Sequence, residues 1–322
     1  MKRTLSLILL ASALHPATAT AQPDPADTRL LTMPAVHTET KKIAFVYAED
    51  LWVADLDGKN PKRLTTDLGR EANPVFSPDG QTLAFTAEYD GNPDVYTIPV
   101  AGGTPTRLTS HPTPDTVRGF TPDGKSVLFS SPRNVFSNRY QQLFTVPLTG
   151  GMPTQLPIPW GFEAAYSPDG ASVAYTPVRD ATPQWKNYRG GTHSRVWIYD
   201  VKTHDVVEIP QPKDRCNDLD PNWIGKTLYF RSDRAGEYNV FAYDTDTKDV
   251  KQVTKFKDFP VLDIATDGQQ LIFEQAGYLH LLKPPATVPT RLKVGVAIDN
   301  AEARARFAKG SKYVRDVSLS PS

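Results

Sequence analysis

Val75-Phe76-Ser77-Pro78-Asp79-Gly80, followed closely by Leu83-Ala84-Phe85, is the stretch whose reading decides the fold. Proline presets φ for a turn, aspartate folds back onto local amides, and glycine accepts positive φ. Apolar β-formers on both sides then read as two antiparallel strands. The unit returns as Gly119-Phe120-Thr121-Pro122-Asp123-Gly124 before Val127-Leu128-Phe129. It returns again as Ala165-Tyr166-Ser167-Pro168-Asp169-Gly170 before Val173-Ala174-Tyr175. Worn copies are Asn222-Trp223-Ile224-Gly225 before Leu228-Tyr229-Phe230, and Thr266-Asp267-Gly268 before Leu271-Ile272-Phe273. Near the start, Ile43-Ala44-Phe45 is the second half of a copy whose turn is missing.

A third element follows each copy: Asp50-Leu51-Trp52, Asp94-Val95-Tyr96, Gln142-Leu143-Phe144, Arg195-Val196-Trp197, Asn239-Val240-Phe241 and Tyr278-Leu279-His280. A fourth comes after another turn, as in Arg63-Leu64-Thr65, Arg107-Leu108-Thr109, Gln252-Val253-Thr254 and Arg291-Leu292. Four short strands repeated six times predict an all-β fold, a six-bladed β-propeller of four-stranded antiparallel blades. From the aromatic of strand two to that position in strand three, the gaps are 7, 11, 15, 22, 11 and 7 residues. From strand three to the next strand two they are 33, 33, 31, 33 and 32. The variation is confined to one hairpin per blade, and all six hairpins project from one face. A constant scaffold with one variable face suits a binding surface, and it also suits neutral drift in tolerant loops.

Composition agrees with this reading. The chain has 322 residues, 36 basic and 36 acidic side chains, 29 prolines, 20 glycines and one cysteine. Zero formal charge argues against binding nucleic acid or a membrane surface through bulk electrostatics. One cysteine excludes an intramolecular disulfide framework and a cysteine-rich zinc site. That much proline is badly tolerated in helical bundles, whereas 39% apolar residues are enough for a core.

Lys2 and Arg3, the apolar run Leu5 to Leu14, and Ala19-Thr20-Ala21 form the n-region, h-region and cleavage site of a secretory signal peptide. The run is about half the length of a bilayer span. The expected organisation is a signal peptide over 1–21, a polar leader over 22–32, the propeller over 33–298, and a linker over 299–322. Within the last of these, Val317 to Ser322 begins another turn motif and stops, as at the truncated start of a second propeller domain. The expected location is the periplasm or outside the cell, with no membrane insertion.

The turn motifs resemble those of the broad group of TolB-like propellers. Trp185-Lys186-Asn187-Tyr188-Arg189-Gly190-Gly191-Thr192 is more specific. It sits in the longest hairpin, ahead of Arg195-Val196-Trp197-Ile198, and resembles the corresponding insertion in the N-terminal propeller of tricorn-like proteases. Pro34-Ala35-Val36-His37 through Asp50-Leu51-Trp52 is similar to the start of that family's first blade. The resemblance runs from about Met33 to the end. It implies a large serine peptidase whose six-bladed propeller precedes a second propeller and a catalytic half with a PDZ module. In that family the propellers are thought to form routes for peptides. The family's nucleophile and histidine lie in the catalytic half, so no catalytic residue is carried over to this chain. The signal peptide departs from the cytoplasmic archetype. The resemblance implies downstream catalytic domains of the same chain as partners, with oligopeptides or protein partners and a homo-oligomer also in view. Two other readings are a TolB-like interaction propeller and the propeller of a prolyl-oligopeptidase-like enzyme.

Candidate site residues form two groups. Glu71, Asp115, Glu163, Asp220 and Asp263 each lie just before or within the first strand of blades two to six. They are read as a carboxylate ring at the channel mouth, able to attract cations or peptide amino ends, or else as solvated loop acids. Trp185, Tyr188 and Arg189 combine residue types enriched at interfaces. They are read as a contact for a peptide, a domain or a subunit, or else as an insertion folded onto its own blade. No cofactor, phosphate-loop or metal-ligand spacing is expected; His280, at an apolar strand-three position, is read as a satisfied core or edge residue, and Cys216 as a bystander thiol.

Overall fold

The computed structural model describes residues 26–135, 137, 139–181, 183, 185–297 and 318. The signal-peptide reading over 1–21 lies outside these residues, as does the linker over 299–322 apart from Ser318. Blade one comprises Thr32–His37, Lys42–Tyr47, Asp50–Asp55 and Lys62–Arg63 (β1–β4). Blade two comprises Glu71–Phe76, Thr82–Ala87, Asp94–Pro99 and Thr106–Arg107 (β5–β8). Blade three comprises Thr116–Phe120, Ser126–Ser131, Gln142–Pro147 and Thr154–Gln155 (β9–β12). Blade four comprises Ala164–Tyr166, Ser172–Tyr175, Trp197–Asp200 and Val206–Glu208 (β13–β16). Blade five comprises Asp218–Ile224, Thr227–Ser232, Asn239–Asp244 and Val250–Gln252 (β17–β20). Blade six comprises Val261–Thr266, Leu271–Gln275, Tyr278–Leu282 and Thr290–Arg291 (β21–β24). Each sheet is four consecutive antiparallel strands, and among the described residues none borrows a strand from the other end of the chain.

The turn motif works as its residue types require. Ser77 Oγ donates to Asp79 Oδ1 at 2.5 Å, the same carboxylate oxygen accepts from Gln81 N–H, and Gly80 N–H donates to the Ser77 carbonyl. Gly80 sits at φ 66°, where a side chain would be strained. The bonds recur at Thr121, Asp123 and Gly124 and at Ser167, Asp169 and Gly170. A Cβ on Gly124 would lie 3.3 Å from the Pro78 ring, so neighbouring turns also touch.

A second repeated device lies at the other end of the blade. The hydroxyls of Thr65, Thr109 and Thr254 accept the backbone N–H of Leu51, Val95 and Val240. Each threonine passes its own proton to a buried acid or amide: Glu71, Asp94 and Asn239 respectively. This is why a threonine ends the fourth element in those blades: it satisfies a strand-three amide that the short outer strand, two or three residues long, does not reach.

Period-two alternation then builds the core. On strand two, Ile43 and Phe45 face the sixth blade while Ala44 faces the second. Leu83 and Phe85 face the first blade, and Ala84 the third. The pattern continues around the ring, giving six apolar clusters, one at each blade–blade interface. Both faces of every blade are therefore buried, as a ring of sheets demands.

The ring closes by packing. In the seam, Val36, Ile43, Phe45 and Trp52 of blade one meet Ile272 and Leu279 of blade six. Two flanking segments fill the remaining wedge, with Leu31 on one side and Leu292, Val294 and Val296 on the other. Thr28 N–H donates to the Val294 carbonyl at 2.7 Å, Leu30 N–H to the Gly277 carbonyl, and Thr38 N–H to Asp267 Oδ2. Blade one thus starts earlier than the sequence suggests. Part of the expected polar leader belongs to the fold because Leu31, only 1% exposed, is needed to complete the seam. Leu31→Ala should cost about 2–4 kcal/mol in urea denaturation, whereas Leu30→Ala, at a residue 72% exposed, should be near neutral. Equal losses would mean that the seam does not hold the ring.

Candidate functional site: the axial channel

The first strand of every blade lines the axis. In blades one, two, three, five and six its pairing with strand two is interrupted by a register shift. The extra residues include Met33, Asn73, Arg118, Asp220 and Asp263. A bulge re-aims a side chain out of the ladder. Four of these residues sit at positive φ: Met33 at 48°, Asn73 at 52°, Asp220 at 51° and Asp263 at 23°. With Glu163 of blade four, they surround a cavity of about 580 Å³ along the axis. Side chains and main chain link this collar from blade to blade. The Asp263 carboxylate accepts the Met33 N–H, the Met33 sulfur accepts the Asn73 N–H at 3.4 Å, and Glu163 Oε2 accepts the Asp220 N–H at 2.8 Å.

Charge is concentrated in blades three to six. Arg231, on strand two of blade five, pairs with Asp220 and also with Asp180 at 3.1 Å, which comes from the blade-four hairpin. Burial opposes the Arg231 charge, but Asp220, Asp180, Glu163 and Asp263 more than offset it and hold its pKa above the usual value. Arg118 makes one hydrogen bond among the described residues, Nε to Ser130 Oγ at 3.0 Å. Burial lowers its pKa, against the pull of Glu163, Asp220 and Asp263. Burial raises Glu163, and Asp220 adds to that rise. The same two causes raise Asp263. The acids outnumber the cations, which together with burial favours the protonated forms of Glu163 and Asp263.

Three of the five expected ring carboxylates, Glu163, Asp220 and Asp263, do line the channel; Glu71 and Asp115 do not. Asp115 pairs with Arg133, whose guanidinium lies 5.0 Å above the Phe129 ring and 5.1 Å from Phe144. Blade five repeats this with Asp218, Arg234, Phe230 and Phe241. Blade two uses Tyr89 instead: its hydroxyl donates to Glu71 Oε1 at 2.7 Å, and its ring packs against Tyr96. Each acid at the start of strand one anchors a side chain that caps the aromatic pair of strands two and three. These are internal clamps, not channel groups.

The blade-four insertion also differs from its expected place. It leans on blade five: Arg189 Nη1 pairs with Asp233 at 2.6 Å, Lys186 with Glu237 at 2.7 Å, and the Tyr188 carbonyl accepts from Asn217. The reason is charge, because the blade-five hairpin offers two carboxylates to a basic segment. Trp185 stays 61% exposed, with its ring 6.0 Å from that of Tyr188. Cys216 is buried, and burial together with Asp218 pushes its thiol up to about 12, which keeps it protonated. His280 is stacked on Phe273 at 5.4 Å. Met33, Asn73, Arg118, Asp180 and Arg231 were missed as channel groups. A bulge leaves no residue-type signature, and long-range pairing decides where it falls.

The fold and the collar define a class: six-bladed propellers around a polar axial channel. The match that specifies the family covers residues 28–287, the tricorn protease N-terminal beta propeller domain, and the chain belongs to that family. Tricorn protease homolog 1 of Streptomyces coelicolor is 34% identical over 258 residues, covering 80% of this chain and 24% of that protein. The crystal structure of the tricorn protease superposes with a TM-score of 0.71 at 25% identity, covering 84% of this chain and 27% of that one. A putative TolB from Agrobacterium tumefaciens shares the fold, with a TM-score of 0.59 at 20% identity over 80% of this chain and 91% of that one. The chain spans about a quarter of the length of the tricorn relatives it matches.

Glu71 supplies a test of the clamp. Burial raises its pKa to about 7, against the lowering effect of the Tyr89 and Thr65 hydrogen bonds. Between its unfolded value, about 4.3, and about 7, the unfolded chain is ionised while the folded carboxyl keeps its proton, so stability falls as pH rises through that window. Glu71→Gln should be nearly neutral at pH 4.5 and stabilising by roughly 1–2 kcal/mol at pH 8, measured by denaturation at both pH values. A pH-independent effect would contradict this picture.

Proposed function

We propose that this chain is the exported N-terminal propeller of a tricorn-like serine peptidase. It carries no catalytic residues of its own; its axial channel conducts and gates oligopeptides to or from downstream catalytic domains of the same chain. The observation that carries this reading is the polar collar around the axial cavity of about 580 Å³. An extended peptide brings one donor and one acceptor per residue, and a passage for it must offer polar partners along its length. Gating is supported by the position of Arg231, which is tied to both Asp220 and Asp180 within the channel lining. A role in assembly is supported by exposed aromatic groups, Trp185 near Tyr188 and Trp160 against Tyr140 with ring centres 4.7 Å apart. Such rings suit contacts with neighbouring domains or subunits. The presence of downstream catalytic domains is supported by the greater length of the family members. Export is supported by Lys2, Arg3, the apolar run Leu5 to Leu14 and Ala19-Thr20-Ala21.

Photo-crosslinking tests the conduit. A ten-residue peptide carrying a benzophenone group should label Met33, Asn73 or Glu163, and the chain alone should hydrolyse none of it. Labels confined to the outer strands, or turnover by the chain itself, would remove the reading. A fusion of residues 1–30 to a phosphatase active only after export should be active in bacteria and lose that activity with Leu9→Arg.

A further inference from the structure

Blade six departs from blade five at one position beside the collar. In blade five, Arg231 on strand two pairs across to Leu219 and reaches the bulge residue Asp220. The equivalent residue of blade six is Glu274, which pairs across to Leu262 next to the bulge residue Asp263. Where blade five supplies its own cation, blade six puts a second carboxylate. Glu274 is only 5% exposed, and among the described residues its side chain makes no hydrogen bond or ion pair. Burial raises its pKa to about 7, and Asp263 adds to the rise. Asp263 itself, besides accepting the Met33 N–H, feels Asp220, Asp180 and Arg231. Glu163 and Arg118 complete the charged groups of the collar. Two cations therefore face five carboxylates, and both cations lie on blades three and five. Among the described residues no group of three or more His, Cys, Asp or Glu is arranged to hold a metal ion.

We propose that the blade-six sector of the collar, Asp263 on the channel wall with Glu274 buried beside it, is a binding site for an organic cation, the ammonium or guanidinium group of a basic oligopeptide. The identification of the carrier as a peptide rests on the conduit reading above; the cation site itself does not. The incoming group takes the place that Arg231 fills in blade five. As it enters, Glu274 gives up its proton to solvent, and the buried charges are compensated by a partner from outside. Basic side chains are then the part of a passing chain that the channel holds, and acidic segments are repelled by the same groups.

Calorimetry on the full chain tests this with N-acetyl-argininamide as the probe, in two buffers of different ionisation heat. Proton release should accompany binding near pH 6.5, and affinity should rise at least fivefold from pH 6 to pH 8. Glu274→Gln should weaken binding tenfold or more and abolish the release. Asp263→Asn, which keeps an acceptor for Met33 N–H, should do the same. Glu71→Gln, at a buried acid outside the channel, should bind as the native chain does. Binding without proton release, or unchanged binding by both the Glu274→Gln and Asp263→Asn variants, overturns the proposal. Peptide arms then identify the carrier. Acetyl-Gly-Lys-Gly-amide offers a side-chain ammonium, Gly-Gly-Gly-amide a terminal one, and acetyl-Gly-Gly-Gly-amide no charge. Binding of either charged peptide above the neutral one supports the site. Equal binding of the neutral peptide sinks the cation site while the conduit stands. A probe bound with proton release, in a chain that crosslinks no peptide in the channel, sinks the conduit and leaves the cation site.

Discussion

Every blade of this protein must bury both faces of its sheet, and that requirement shapes all else. A sheet of four short strands cannot do so alone, so each blade supplies large residues such as Phe85 and Phe129 to the interface behind it. On the other face it presents the residue between them, as small as Ala44, Ala84 or Ala174. In blades three, five and six the corresponding residue is larger, Leu128, Tyr229 and Ile272. With no strand shared between the ends among the described residues, the last interface depends on the same packing, supplemented by Leu31 and the Leu292–Val296 stretch. Small sheets that are stable only against their neighbours are the general physics of repeat architectures.

The same geometry creates the channel and its chemistry. Strands that converge on the axis crowd one another, and bulges at the entry to strand one turn single side chains inward. The residues so placed are not interchangeable. Met33 and Asn73 form a neutral arc, whereas Arg118, Glu163, Asp220 and Asp263 carry charge. Burial penalises each charge, and an excess of carboxylates is relieved by protons or by cations from outside. Stability and function thus draw on opposite treatments of acids. Asp115 and Asp218 are neutralised by Arg133 and Arg234 above aromatic rings. Asp263 and Glu274 have no cation of their own blade beside them.

How much of this was legible can be judged from particular residues. Glu71 and Asp115 each precede the turn aspartate by eight positions, Glu163 by six. That difference separates a clamp from a channel group, since two residues along a strand move a side chain by about 7 Å. The spacing was visible, but its meaning required knowing where the bulge falls. The tilt of the Trp185–Arg189 insertion was hidden for another reason: its partners, Asp233 and Glu237, lie in the next blade's hairpin.

The sequence by itself determined the blade count, the four-strand pattern, the turn chemistry and the family resemblance, because all of these are local and repeated. Proline, aspartate and glycine at fixed offsets act within six residues, and apolar alternation acts within one strand. Only the tertiary structure decided which acids meet at the axis, which are clamped by arginine, how the ring is sealed, and that Glu274 stands without a cation beside Asp263. Those outcomes depend on register shifts and on contacts between blades 40 or more residues apart, as with His37 and Pro78. Local residue types are silent about such distances; the closing of the ring sets them.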